Sequence, residues 1–238
     1  MEYGFSKARV MAVSEPVVTE IPDAEGVITF AARVSNPSNQ NNFETSAGLL
    51  NYCKKHNHWS IFEQATATIE IEAPRDITRQ ILRHRTASFQ EFSQRYASVT
   101  DESFINRELR LQDMKNRQNS VKLSNATHLT VAEKQDLLHK WLDAQQEVID
   151  ITKYHYNRMV DAGVAKEVAR VLLPEGLTMS RMYMTANLRT WMHYCDVRES
   201  NGTQLEHIAV AKAVHEALAE YFPTIMNEVL NESGSKQK

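Results

Sequence analysis

Residues Arg83–Tyr96 read RHRTASFQEFSQRY, and the rest of the chain is organised around them. Arg83, His84, Arg85 and Arg95 stand there beside Ser88, Ser93, Gln90, Gln94 and a single anion, Glu91. Guanidinium groups are rigid, permanently charged forks that match phosphate and carboxylate oxygens. Serine hydroxyls and glutamine amides add neutral hydrogen bonds. A lone carboxylate among cations can orient an arginine or accept from a ligand hydroxyl. By residue chemistry alone the grouping is either a pocket for a phosphorylated small molecule or a solvated charged face, and the two readings stand level.

The flanking sequence gives this stretch a platform. Residues 65–73, ATATIEIEA, alternate, with Ala65, Ala67, Ile69, Ile71 and Ala73 on one side and Thr66, Thr68, Glu70 and Glu72 on the other. That is a half-buried strand of antiparallel type. Pro74 is expected in the first turn of a helix whose apolar stripe is Ile77, Ile81 and Leu82. Arg79 and Arg83 lie four apart, as do Gln80 and His84, so Gln80 and Arg83 are delivered near the helix end. Beyond it the charged stretch reads as a loop or irregular segment.

Further out, residues 8–21 suggest a strand and 27–34 a strand or helix. A helix is expected over 44–57, capped by Thr45 or Ser46 and buried through Leu49, Leu50 and Cys53. Residues 97–130 are polar, with Arg107, Arg110, Lys115, Arg117 and Lys122 among acidic residues, and read as a surface insertion. A long helix over 131–162 stops at Gly163. Short helices follow at 165–172 and 185–195, and a C-terminal helix runs from the Thr203–His207 stretch towards Pro223. The expectation is one domain over 1–232 and a disordered tail at 233–238.

Composition narrows the function classes. The 238 residues are 42% hydrophobic and 24% charged, ordinary for a globular protein, and the net charge of −3 gives no global pull towards nucleic acid or an anionic membrane. Cys53 and Cys195 are too few for a disulfide scaffold. No apolar run approaches the roughly 20 residues of a membrane span, and the N-terminus lacks a signal-peptide core. A cytoplasmic setting is expected. His56 and His58 in HNHWSIFEQ do not fill a metal shell, and no metal is expected.

The central stretch resembles the signature of the flavin-dependent thymidylate synthases, RHRxxSxNExSxR. Arg83, His84, Arg85, Ser88, Glu91, Ser93 and Arg95 match, and Gln90 stands where the family has Asn. Weaker similarities flank it. They are AARVS at Ala31–Ser35, the H-x-H-x-[ST]-x-F-E pattern at His56–Glu63, KEVARVLLP at Lys166–Pro174, N-x-R at Asn187–Arg189, and TQLEH at Thr203–His207 against the family's AQxEI. Gln64, His193 and Gly202 depart from the pattern.

The resemblance implies an α+β fold, with a central, mostly antiparallel sheet flanked by helices, and a homotetramer with active sites shared between subunits. It implies reductive methylation of dUMP to dTMP, using methylenetetrahydrofolate, FAD and NADPH, with no protein nucleophile. Gln80, Arg83, Glu91, Ser93, Gln94, Arg95, Arg170 and Arg198 would hold dUMP, Arg198 being catalytic through its charge beside the uracil ring. Ser35, His58, Ser60, Glu63, Arg83, His84, Arg85, Glu91, Asn187, Arg189 and His193 would contact FAD. Two other readings rest on the residues alone: a different phosphate-ligand enzyme using the same arginines, and a nucleic-acid-binding module, disfavoured by the mixed charges.

Overall fold

A computed structural model describes residues 6–99 and 103–229, so the tail at 233–238 lies outside the described residues. In chain order the elements are β1 (Lys7–Val13), α1 (Ala24–Ala32), α2 (Ser46–Lys55), β2 (Thr66–Pro74), α3 (Arg75–Ile81) and β3 (Ser88–Glu91). A small hairpin follows, β4 (Arg110–Gln112) and β5 (Ser120–Lys122), then the long α4 (Val131–Asp161) and the short α5 (Lys166–Ala169). The chain ends with β6 (Met179–Asn187), α6 (Leu188–Arg198), α7 (Leu205–Ala219) and a π-helical turn at Ile225–Val229.

Strand β2 is a half-buried antiparallel strand, as its alternation predicts, and lies inside the sheet. The sheet order is β1-β2-β6-β3 and each neighbouring pair is antiparallel. Ala67, Ile69, Ile71 and Ala73 pair with Ala186, Met184, Met182 and Ser180, and all eight are buried on one face. Trp191, Tyr194, Val210, Val214, Leu218 and Phe222 complete the same core. Each fully buried Ile or Met side chain contributes about 1.5–3 kcal/mol. Trp191 Nε1 donates to Ala67 O at 3.2 Å, so the largest core side chain is satisfied on the sheet backbone.

Four expectations are corrected. The helix expected from 185 begins at Leu188, because Met179–Asn187 is a strand with Ser180, Met182, Met184 and Ala186 inward and Arg181 and Thr185 outward. The alternation is in the sequence, but methionine is a weak strand former and hides it. The signature is not wholly loop: Ser88–Glu91 pair with Thr185–Met182 as the sheet edge. Pro74 closes β2 and precedes the first helical residue, Arg75. Thr45 sits at the N-cap of α2 without capping it, since its Oγ1 accepts from Arg33 Nη2 at 2.7 Å.

The 97–130 segment also departs from a purely solvated insertion. Arg107 and Arg110 side chains are only 11% exposed. Arg107 donates to Asp76 and to Gly176 O, each at 2.8 Å, and Arg110 Nη2 reaches both Glu206 oxygens at 2.7 Å. The segment is thereby riveted to α3 and α7. Helix α4 begins with a Thr130–Glu133 capping box and ends before Gly163, whose φ of 87° suits glycine.

At the far end, His215 on α7 donates from Nε2 to Met226 O (3.0 Å) and lies 2.8 Å from Glu199 through Nδ1. The carbonyl can only accept, so both ring nitrogens are donors when the imidazole is charged, and Glu199 holds the His215 pKa above its ordinary 6.5. A raised histidine pKa stabilises the fold fully below the unfolded value and loses that contribution as pH rises through the folded value. Thermal melts should therefore show an alkaline-side decline beginning above about pH 6.5, and His215→Asn should flatten it. An unchanged slope in the variant would remove His215 as its source.

Candidate active site

Helix α3 serves two polar clusters from its two sides. On one side, the residues three and four apart, Arg75, Thr78 and Arg79, face β3. Glu91 Oε1 accepts from Thr78 Oγ1 at 2.9 Å and Ser180 Oγ at 2.8 Å, while Arg79 Nη2 reaches both carboxylate oxygens at 3.2 and 2.9 Å. Arg75 Nη1 lies 3.7 Å away. The Glu91 side chain is only 14% exposed, and its oxygens are filled by the protein. Glu91, for which the resemblance implies a ligand contact, here binds Arg79 and lies beside Arg75, the other possibility its surroundings allowed.

On the other side, Gln80 Nε2 donates to Gln204 Oε1 at 2.9 Å and its Oε1 lies 3.2 Å from His207 Nδ1. One turn further, Arg198 Nε donates to His84 Nε2 at 3.0 Å. Burial, with the Arg198 charge beside it, pushes the His84 pKa down to about 4. His84 is therefore neutral near pH 7, its proton is on Nδ1, and Nε2 is free to accept. Arg198 closes the last turn of α6, where a cation meets the negative end of the helix dipole. Tyr194 is fully buried between the two histidines, with ring centroids 5.0 Å from His84 and 5.8 Å from His207. Arg83 is exposed and close enough to Arg198 to act on its charge.

The remaining nucleotide candidates gather around α5. Arg95 pairs with Glu167 at 3.1 Å, and Arg170 follows on the same segment near Arg75. Ser93 is exposed and its carbonyl closes the turn to Tyr96 and Ala97, whereas Gln94 is buried with its amide nitrogen unpartnered.

The flavin candidates are partly brought together. Ser35 lines a groove of about 460 Å³ with Asn36, Asn39 and Arg33. Arg33 is 7% exposed, and its Nη1 has no hydrogen-bond partner. Arg189 and Glu63 form an ion pair at 2.5 Å, so two expected contacts hold each other. Asn187 is not a free ligand group: its side chain accepts from Thr190 N at 3.0 Å and caps α6. His58, Ser60 and Arg85 are exposed. His193 is also exposed, with its ring 6.3 Å from His84.

Arg33, Arg75, Tyr194, Ser180 and His207 were not singled out as site residues from sequence. Arg33 lies inside AARVS, where a cation in an apolar run was the available signal. Neither cysteine is an activated nucleophile. Both are buried, and burial raises both thiol pKa values. Among the described residues Cys195, Glu199 and His215 bring potential ligand atoms within 4.8 Å, but both His215 nitrogens are already engaged.

The Glu91 cluster makes a stability prediction. Glu91→Ala would leave Arg75 and Arg79 with only the more exposed Glu175, 3.8 and 3.6 Å away, and should cost about 3 kcal/mol in urea unfolding. Removing both arginines as well should recover part of that loss. A loss under about 1 kcal/mol would mean that the pair behaves as a surface contact.

Residues 16–224 match the family model described as thymidylate synthase complementing protein. A probable flavin-dependent thymidylate synthase of Paramecium bursaria Chlorella virus 1 is 46% identical over 92% of this chain and 96% of its own length. A flavin-dependent thymidylate synthase of Synechocystis is 38% identical over 92% of this chain and 94% of its own. In structure the chain is similar to a UMP/dUMP methylase, PolB, from Streptomyces cacaoi bound with 5-Br UMP, at 25% identity and a TM-score of 0.78, covering 97% and 96% of the two chains. A half-buried arginine paired with the histidine of the RHR signature, in a matching fold and with this extent of similarity, places the chain in the family of flavin-dependent thymidylate synthases.

Proposed function

We propose that this chain methylates dUMP reductively to dTMP, with methylenetetrahydrofolate as carbon donor, FAD as flavin and NADPH as reductant. Its membership of the family supports the reaction. The observation that carries the residue assignment is the Arg198–His84 bond of 3.0 Å, in which a neutral acceptor fixes a permanent cation. Taking up Nε leaves the two Nη groups to face a ligand. A fixed cation placed where negative charge develops on a pyrimidine ring lowers the barrier without reorganising at that moment. The unperturbed imidazole would carry its own charge more readily and repel Arg198, so the lowered His84 pKa belongs to the same arrangement.

Arg33 supports an anionic cofactor near Ser35, because a buried guanidinium with an unpartnered nitrogen is a donor awaiting an acceptor. Arg33 and Ser35 would hold FAD there, with Arg85, Arg189 and His193 as further contacts. When bound, the flavin supplies the hydride and the folate supplies the carbon. The protein's own part is to bind, orient and set charge; the buried, protonated cysteines accord with a reaction without a thiolate.

Ser93, Arg95 and Arg170 would take the nucleotide phosphate. Within one protomer Arg95 pairs with Glu167 of α5, Arg170 follows α5 directly, and Ser93 closes the turn to Tyr96 and Ala97. Val168, Val171 and Tyr96 are exposed beside them, as are Ile151 and Tyr154 on α4. These apolar surfaces support assembly as a homotetramer in which one copy's α5 region completes another's Arg198 cluster. Among the described residues no helix is long and apolar enough to cross a membrane; a cytoplasmic location is part of the same proposal.

Anaerobic titration of the FAD-loaded protein with NADPH should bleach the flavin bands, faster when dUMP is present. Folded protein that binds no flavin would overturn the reading. Arg198→Ala should keep FAD but lower dTMP formation by about 10²–10³-fold. Turnover close to wild type in that variant would remove the role given to Arg198.

A further inference from the structure

His207 is an unusual core residue. It lies on the first turn of α7, is 0% exposed, and stands where the AQxEI pattern has an apolar isoleucine. Its Nδ1 is 3.2 Å from Gln80 Oε1, and its buried Nε2 has no hydrogen-bond partner. A buried polar atom without a partner opposes folding, so simple packing does not explain a histidine at this position. The bonds on either side of it define a direction. With Gln204 Oε1 as the acceptor of Gln80 Nε2, Gln80 Oε1 is the acceptor facing His207. A neutral imidazole must then carry its proton on Nδ1.

We propose that His207 and Gln204 are positioning residues that lock the Gln80 side-chain amide, so that it presents its second N–H, a donor and not an acceptor, to an acceptor oxygen of the bound pyrimidine nucleotide. An unpinned glutamine amide can turn either its oxygen or its nitrogen towards a ligand. The two bonds remove that freedom before the ligand arrives, which reduces the ordering needed on binding. The relay needs a neutral imidazole. Burial and the nearby Arg198 charge hold the His207 pKa down to about 3, so the imidazole stays uncharged across the neutral range. His207 also packs against Tyr194, which separates it from His84, so one aromatic ring spaces the amide relay from the Arg198 pair.

This inference rests on the nucleotide reading of Gln80, and the test separates the two. Equilibrium dialysis of labelled dUMP against the FAD-loaded protein gives dissociation constants for wild type, Gln80→Ala, His207→Leu and the double variant. Losing one net hydrogen bond should weaken dUMP binding about tenfold in each single variant. The double variant should bind within about twofold of Gln80→Ala alone, because His207 acts only through Gln80. His207→Asn, which keeps a side-chain N–H, should restore affinity to within about threefold of wild type. Wild-type affinity in His207→Leu, or losses that multiply in the double variant, would overturn the positioning role while leaving Gln80 in the site. Wild-type affinity in Gln80→Ala would overturn the nucleotide reading of Gln80 itself and the proposal with it. If His207→Leu fails to fold, Gln204→Ala carries the same comparison, with the same suppression expected in the Gln80→Ala background. Retained FAD absorbance and melting temperature in each variant distinguish lost positioning from lost structure.

Discussion

The Glu91 carboxylate is held by Thr78 and Arg79 of α3 and by Ser180 of β6, while belonging itself to β3. One anion thus joins an edge strand, the strand beside it and the helix above them. Its burial is tolerable because hydroxyl and guanidinium donors replace the water it loses. With β3 fixed in this way, the turn at Arg83–Ala87 between α3 and β3 has both ends anchored. His84 sits on that turn, and its bond to Arg198 requires that the turn stay in place. A loose signature would spread its charges over solvent; a tethered one gathers them.

The same anchoring explains why the polar residues of α3 face opposite ways without conflict. Arg75, Thr78 and Arg79 serve the Glu91 side, and Gln80 serves the α7 side. A helix of seven residues has about two turns, enough to present both faces rigidly. Chemistry assembled on such short, pinned elements is better placed than chemistry on free loops. His84 and His207 are neutral because each loses solvent beside a cation, so they act as directional hydrogen-bonding groups and not as charges.

Alternation along 65–73 was enough to place the central strand and its buried face, because the side-chain period of a strand does not depend on its partners. The stop at Gly163 bounded the longest helix for a similarly local reason, while the Thr130–Glu133 capping box at its start emerged only in the structure. Residue type alone left the charged signature open between a pocket and a solvated face; its order, through the resemblance to a family pattern, implied the chemistry. The strand at 179–187 was missed because its inward methionines carry little strand preference; pairing with β2 and β3 supplies what propensity lacks.

What sequence alone determined was therefore the inventory: a cation-rich motif matching a family signature, a half-buried strand, a long helix stopped at Gly163 and two cysteines unsuited to a scaffold. What only the tertiary structure decided was which polar groups meet. Glu91 belongs to Arg75 and Arg79, Asn187 to the start of α6, Arg189 to Glu63, and His207 to Gln80, at sequence separations from 3 to 127 residues. Those partners are set by the packing of strands and helices against one core. A carboxylate or imidazole has no preference in sequence for one distant donor over another; burial excludes water, and the remaining neighbour becomes the partner.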